Sequence, residues 1–207
     1  MRNNSFDIRK KSMEVRIMMN TGIMKQAVIS LNEAMREVGR EVNAEEVVNI
    51  VEQHAIATAV SAAASGAIPG AGGLVALGIA CTSTITMYGR LANVMGVRLN
   101  NGLIKAVASA VVADLAASVA ATIAATAAIS FIPGVGNMAS GTLTAITNFG
   151  FIYLAGLIFI NLVASLGVSR VENMSEEEMK SAAKSIQDNM NVKAAMKEAK
   201  KAYKASV

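Results

Sequence analysis

The side chains that could perform acid–base, nucleophilic or ion-conducting chemistry are few in this sequence and lie far apart. The chain of 207 residues has one histidine, His54, and one cysteine, Cys81. A catalytic triad would have to use His54, which lies at the entrance of an apolar helix and is expected to make a structural or interfacial hydrogen bond. Asp114 is the only acidic residue of the third apolar helix. If that helix spans a membrane, Asp114 lies near its cytoplasmic end, where a charge is tolerated, and a role in an ion pathway is the alternative. His54 and Asp114 are therefore the two candidate polar functional positions.

Other catalytic and ligand-binding patterns are missing from the sequence. The glycine-rich run GAGG at 70–73 lacks the Lys-Ser/Thr pair that completes a phosphate-binding loop. No pair of carboxylates and no His/Cys cluster has the spacing of metal ligands. Cys81 lies among apolar residues and is expected to be inert. We predict a protein that is not an enzyme, with no catalytic, cofactor-binding or metal site and no cofactor.

The two prolines of the chain lie in one repeated pattern, IPGAG at 68–72 and IPGVG at 132–136. Proline cannot continue a helix, because it lacks the backbone N–H, and the glycine after it can adopt the positive φ of a tight reversal. The pattern predicts two helical hairpins, with tips at Pro69 and Gly70 and at Pro133 and Gly134. The repeated pattern is explained either by internal duplication of a helix–turn–helix unit or by two independent turns that use the same residues.

The distribution of charge separates these hairpins from the rest of the chain. Charged residues are only 16% of the sequence, against about a quarter in an average soluble domain. Apart from His54, no charge lies between Glu52 and Arg90, and none lies between Asp114 and Arg170. Such stretches are long enough to contain membrane-spanning helices. We therefore predict an all-α, membrane-embedded fold of two proline-tipped hydrophobic hairpins, four apolar helices in all, flanked by N- and C-terminal amphipathic helices.

This organisation divides the chain into three segments. Residues 1–43 form an N-terminal amphipathic segment, 44–168 the duplicated hairpin domain and 169–207 a C-terminal, lysine-rich amphipathic helix. The N-terminal helix is predicted over about 10–40, weakened at Thr21 and Gly22. The first apolar helix begins after Asn43, where Glu46 completes a capping box, and Ser175 with Glu178 forms another at the last helix. The remaining apolar helices are predicted over 74–88, 103–131 and 138–166, with a loop between residues 89 and 102.

The free energy of transfer from water into a bilayer separates one strong candidate membrane span from the weaker apolar helices. The helix over 143–166 gains roughly 4 to 8 kcal/mol from its central apolar residues, whereas residues 115–131 gain only about 1.5 to 3 kcal/mol. A stripe of small residues would let the helices approach closely, either in lipid or in a soluble bundle. Arginine and lysine occupy both termini and the middle segment but neither tip, which favours cytoplasmic termini. Four crossings, re-entrant wedges and an Ala-rich soluble bundle all stay open.

Residues 45–167 resemble the YcjF-type domain of unknown function, a bacterial helical membrane domain often attached to GTPases. The resemblance is carried by the run from Ile50 to Ala55, by the first IPG turn, by Tyr88-Gly89 and by the second turn, PGVG at 133–136. Where family members carry acidic or basic residues after the first turn, this chain has Gly72, Gly73 and the uncharged run CTSTITM. The resemblance implies location in the bacterial inner membrane and a GTPase as a separate partner.

Three functions follow as hypotheses. The leading one is a non-enzymatic helical membrane protein that anchors or recruits a cytoplasmic partner, such as a GTPase, and forms homo-oligomers. The second is a pore-forming or membrane-perturbing effector whose hairpins insert into the lipid bilayer and oligomerise. The third is a soluble, Ala-rich helical scaffold. Nucleic-acid binding is not expected, since the net charge is only +4 and the C-terminal lysines are not interleaved with aromatic residues.

Overall fold

The computed structural model describes residues 22–65, 72–130 and 136–206, with side chains for 22–64, 77–117 and 145–205, and every regular element in these ranges is a helix. The predicted all-α class is confirmed. Numbered along the chain, the helices are α1 (Ile23–Glu37), α2 (Ala44–Ser65), α3 (Gly72–Val94), α4 (Asn101–Ser130), α5 (Gly136–Leu166), α6 (Val168–Glu172), α7 (Glu176–Asn189) and α8 (Val192–Ser206).

Helix α5 forms the centre of the fold and contacts all seven of the other described helices. Residues 148–160 are all buried, without an exposed position on any side of the helix. A helix that is apolar all round must be enclosed by protein or by lipid. In the described bundle, α1, α2 and α8 provide most of that enclosure.

The predicted partners contact each other, α2 with α3 and α4 with α5, but α2 packs more extensively on α5 than on α3, and α4 more on α3 than on α5. Asn43 caps α2, since its Oδ1 accepts hydrogen bonds from the backbone N–H groups of Glu45 and Glu46 at 3.1 and 3.2 Å. The predicted tip residues Pro69, Gly70, Pro133 and Gly134 lie outside the described residues. The helices on either side of them end and begin at Ser65 and Gly72, and at Ser130 and Gly136.

Amphipathic helices α1, α7 and α8 pack around this core, and we call them the collar. Helix α1 buries one face, formed by Met24, Ala27, Val28, Leu31 and Met35. Its charged side chains, such as Glu33 and Arg36, are exposed. Helices α7 and α8 pack on α5 in the same way, and α7 also contacts α4. The collar therefore covers part of the apolar core, chiefly α5, with a charged outer surface.

The N-terminal helix predicted over 10–40 ends earlier in the structure than predicted. The part of this prediction before residue 22 lies outside the described residues. Helix α1 begins directly after Gly22, which has φ 88°, and ends at Glu37. Gly39, with φ 69°, follows, and Arg40 N–H donates to the carbonyl of Met35 at 2.9 Å. This is the Schellman arrangement, in which a glycine in the left-handed conformation ends the helix.

The predicted end of α3 at residue 88, with a loop over 89–102, is wrong by about two turns. The helix continues to Val94 because Leu91, Ala92 and Met95 are buried against the core at helical spacing. Gly96, with φ 65°, then ends it, and Val97 N–H donates to the carbonyl of Ala92 at 2.8 Å. Apolar burial outweighs the polar side chains that suggested a loop.

The single helix predicted from Ser175 onward is two helices in the structure, and the short helix α6 precedes them. The capping box is present: Ser175 Oγ accepts from Glu178 N–H at 3.3 Å, and the Glu178 carboxylate accepts from Ser175 N–H at 2.8 Å. Met190 has extended ψ of 137°, which ends α7. Asn191 begins α8, because its Oδ1 accepts a hydrogen bond from Ala194 N–H at 3.0 Å.

Candidate functional site

A groove of about 510 Å³ lies between α2 and α3, and we call it the hydroxyl groove. The spacing of its residues along each helix, three or four apart, places them on one face. Most of the groove's polar groups are hydroxyls. The lining residues are His54, Ala57, Thr58 and Ser61 on α2, and Gly78, Ile79, Thr82, Ser83 and Thr86 on α3.

His54 lies at the charged end of this groove. Its Nδ1 is 3.2 Å from Ser83 Oγ, and its Nε2 is 3.4 Å from Nη1 of Arg90. The same Arg90 nitrogen donates to Gln53 Oε1 at 3.0 Å. Partial burial of the ring, and then the neighbouring guanidinium of Arg90, lower the pKa of His54. The imidazole is therefore neutral near pH 7.

The positions of these partners assign the tautomer of His54 and limit its chemistry. Arg90 can only donate, so Nε2 must be the acceptor nitrogen and Nδ1 must carry the proton. Nδ1–H then donates to Ser83 Oγ and cannot take the proton of that hydroxyl. A serine nucleophile needs a histidine that accepts its proton. The His54–Ser83 pair is therefore arranged for hydrogen bonding and not for nucleophilic attack.

The threonine hydroxyls of the groove differ in how they are satisfied. Thr82 and Thr86 donate to the carbonyls of Gly78 and Thr82, both at 3.0 Å, in the usual pattern within a helix. Their oxygens keep lone pairs that can accept. Thr58 is only 2% exposed, and its Oγ1 has no hydrogen-bond partner among the described residues. The groove thus presents an unused donor beside several acceptors.

Asp114 does not belong to the hydroxyl groove. It lies half-buried on α4, and none of the groove's described lining residues comes from that helix. Close to this part of α4, Cys81 Sγ lies 3.6 Å from Ser109 Oγ, which links α3 to α4 through a thiol–hydroxyl contact. The structure therefore does not assemble His54 and Asp114 into one site. Within the described ranges there is also no group of three His, Cys, Asp or Glu side chains that could hold a metal ion.

A second polar cluster joins the two ends of the described chain, and we call it the collar latch. The carboxylate of Glu198 on α8 accepts from the backbone N–H groups of Ile23 and Met24 at 2.9 and 3.4 Å, and the hydroxyl of Tyr153 on α5 also donates to it. Gly22 provides no side chain to cap α1. The carboxylate takes that role and interacts favourably with the positive end of the helix dipole.

Sequence reasoning missed the collar latch. The available signal was Tyr153, a phenol inside an apolar helix whose hydroxyl needs a partner. Nothing in the sequence singled out Glu198 among the charges of the lysine-rich helix as that partner. The pairing depends on the way in which three helices meet, which local spacing does not encode.

The far ends of the four long helices carry no charged side chain, and we call this part the uncharged end. It comprises residues 55–65, 72–86, 115–130 and 136–148, which contain no Asp, Glu, Lys or Arg. Two contacts of α8 with α5 lie just beyond the border of the uncharged end, where Tyr203 meets Phe149 and Met196 lies close to Gly150. The hydroxyl groove runs from this border, at His54, into the uncharged end.

One helix in the described part of the chain is long and apolar enough to cross a membrane by length and composition. It is Ala145–Leu166, with a mean hydropathy of 2.1, and 78% of its most apolar window is buried inside the protein. The core helix of a soluble protein satisfies the same criteria. Membrane embedding therefore stays a prediction.

The described part of the chain is thus an all-α bundle, in which the amphipathic helices α1, α7 and α8 pack around the apolar helix α5. No family model, no curated protein and no solved structure matches the chain. The YcjF-type resemblance and the GTPase partner that it implies stay predictions.

Proposed function

We propose that the chain is a non-enzymatic helical membrane protein whose uncharged end enters the lipid bilayer, while its collar stays on the cytoplasmic side of the bacterial inner membrane. Both termini are then cytoplasmic. The charged outer surface of the collar is available to a cytoplasmic partner, for which the YcjF-type resemblance suggests a GTPase. The protein associates with copies of itself through the hairpins.

The observation that carries this proposal is the separation of charge along the hairpin helices. A charged residue at the centre of a bilayer costs about 2.5 to 3.5 kcal/mol, and the uncharged end contains none. Arg98 and Lys105 lie at the opposite side, near the connection between α3 and α4, and Arg90 lies one helical turn beyond the border of the uncharged end. This arrangement suits a protein that is anchored at one end.

Length and enclosure favour a wedge over four complete crossings. Residues 55–65 span roughly 16 Å of helix and residues 115–130 roughly 24 Å. The hydrocarbon core of a bilayer is about 30 Å thick. If α5 crossed along its whole length, the exposed charges of α1, such as Glu33 and Arg36, would enter the lipid with it. We therefore place only the uncharged end in the membrane and keep the collar assembled.

The enclosure of the candidate span also supports a second function, insertion on demand by a membrane-perturbing protein. In that case the collar keeps Ala145–Leu166 away from water until a membrane triggers its release. Opening of the collar latch would free α8 from α1. Dye release from vesicles separates the two functions, because a wedge anchor leaves vesicles sealed and an inserting effector makes them leak.

Two exposed apolar residues provide a matched test of the proposed anchor. Val60, in the uncharged end, is 64% exposed, and Ile29, on the collar, is 45% exposed. Lysine at either position reaches the surface without disturbing the core. Membrane fractionation with alkaline extraction should leave the unmodified protein and Ile29→Lys in the membrane pellet, and Val60→Lys should be largely released. Complete release of all three proteins would contradict the membrane anchor and favour the soluble scaffold. Equal retention of all three would show that the uncharged end is not the anchor.

A further inference from the structure

We propose that the hydroxyl groove binds a phosphate-ester anion, and that the anion is supplied by the headgroup of an anionic phospholipid. The anion site stands on the geometry of the groove itself. Its lipid source rests on the proposed function, since only a membrane around the uncharged end brings headgroups to this position.

The first argument is the kind of hydrogen-bonding groups that converge on the groove. Because His54 Nδ1–H donates to Ser83 Oγ, the Ser83 proton is not needed for that contact. Thr58 lines the groove and is 2% exposed as a residue, and its buried hydroxyl has no hydrogen-bond partner in the described part of the chain. Arg90 contributes a guanidinium beside His54. A ligand with several acceptor oxygens would satisfy these donors together.

The second argument is charge. None of the described lining residues is acidic, and the neighbouring charged group, Arg90, is positive. Arg90 lies one helical turn after Thr86, so its guanidinium stands at the charged end of the groove. A guanidinium binds phosphate oxygens well because its N–H groups form a planar fork. Neutral lining groups beside a guanidinium therefore favour an anion over a cation.

The third argument is position. The groove extends from His54 towards Ser61 and Gly78, and so crosses the border between the charged residues and the uncharged end. When the uncharged end enters a bilayer, this border lies at the depth of the headgroups. Arginine near a membrane surface attracts anionic lipids. The satisfied hydroxyls of Thr82 and Thr86 can accept hydrogen bonds from the glycerol hydroxyls of phosphatidylglycerol.

Three variants of the full chain test this site. Arg90→Gln removes the guanidinium, and Thr58→Val removes the buried hydroxyl without a change of charge. Arg98→Gln is the matched control, because Arg98 pairs with Glu172 and its side chain is 87% exposed. Binding is measured with vesicles of phosphatidylcholine alone and with phosphatidylglycerol added. Glycerol 3-phosphate is titrated separately into the protein in an uncharged detergent.

We expect the unmodified protein and Arg98→Gln to bind the phosphatidylglycerol vesicles roughly tenfold more tightly than phosphatidylcholine vesicles. Arg90→Gln and Thr58→Val should lose that preference and still bind phosphatidylcholine. Equal losses in Arg90→Gln and Arg98→Gln, or a full preference in Thr58→Val, overturn the site. Binding of glycerol 3-phosphate without a lipid preference identifies a soluble phosphate ester as the ligand and overturns the lipid source.

The two proposals fail in different ways. If no vesicle of either composition binds the protein, the membrane anchor is wrong, and the glycerol 3-phosphate titration still decides whether the groove takes a phosphate ester. If both kinds of vesicle bind equally and glycerol 3-phosphate does not bind, the anchor stands and the anion site is wrong.

Discussion

The carboxylate of Glu198 accepts a hydrogen bond from the backbone N–H of Ile23 at 2.9 Å and so joins the last described helix to the first. Tyr153 of the central helix donates to the same carboxylate. This contact therefore joins α1, α5 and α8 through polar groups, in addition to the packing of α1 and α8 on α5. We expect the packing of α1 and α8 around the most apolar helix to depend in part on this contact.

Removal of the collar latch should destabilise the fold. Glu198→Ala leaves two backbone N–H groups and the Tyr153 hydroxyl without their acceptor, which costs about 1 to 3 kcal/mol. We expect a lower midpoint of urea unfolding and faster hydrogen exchange at the first amides of α1. Glu198→Gln, which keeps an acceptor oxygen, should lose less. Unchanged exchange in α1 would show that the collar closes without the latch.

Gly156 should be intolerant of a side chain, because a Cβ at this position would lie 2.7 Å from Cγ2 of Val51 on α2. Val51 is fully buried and branched, so it cannot move aside easily. Overpacking of this kind costs about 1 to 3 kcal/mol. Gly156→Ala should lower the melting temperature measured by circular dichroism.

Gly89 is the matched control for Gly156, since a Cβ there meets no atom within 4 Å. Gly89→Ala should stabilise α3 by roughly 0.5 to 1 kcal/mol, because alanine loses less conformational entropy in a helix. The two identical substitutions should therefore change the melting temperature in opposite directions. A stabilising Gly156→Ala would contradict the close approach of α2 and α5.

The start of α7 should depend on pH. The hydrogen bond from the backbone N–H of Ser175, followed by that from its hydroxyl, lowers the pKa of Glu178 below its ordinary value of 4.5. A depressed pKa means that the contribution to stability is present above 4.5 and is lost as the pH falls through the folded-state pKa. The Cα chemical shifts of the first turn of α7 should move towards coil values below pH 4.5.

Ser175→Ala provides the control for this pH dependence. It removes the hydroxyl that accepts from Glu178 N–H and donates to the Glu178 carboxylate. The Cα shifts of the first turn should then be closer to coil values at neutral pH and should change less on acidification. If the unmodified protein and Ser175→Ala titrate alike, the capping box does not control this end of α7.

Helix starts that depend on local side-chain chemistry could be predicted from the sequence. Asn43 and Ser175 begin their helices because short side chains can reach nearby backbone N–H groups. Gly39 and Gly96 end helices for an equally local reason but were not predicted as helix ends. The continuation of α3 to Val94 was missed because it depends on the burial of Leu91, and the polar neighbours Arg90 and Asn93 suggested a loop. The break between α7 and α8 was missed although Asn191 is a good cap, because the apolar spacing continues across it.

The candidate site was predictable only in part. His54 was singled out as the one histidine, but its partners Ser83 and Arg90 come from the other helix of the hairpin. Their proximity depends on the register of α2 against α3, which neither helix encodes alone. The orphaned hydroxyl of Thr58 likewise becomes visible only when its neighbours are known.

The most direct test of the central claim measures how deeply the uncharged end enters a membrane. With Cys81 replaced by serine, one cysteine is introduced as Val60→Cys and, in a separate protein, as Ile29→Cys, and each is labelled with a polarity-sensitive fluorophore. On addition of vesicles that carry a lipid-attached quencher, we predict a blue shift and quenching at position 60 and an unchanged, water-exposed spectrum at position 29. A water-exposed spectrum at both positions would contradict the proposal that the uncharged end anchors the protein in lipid.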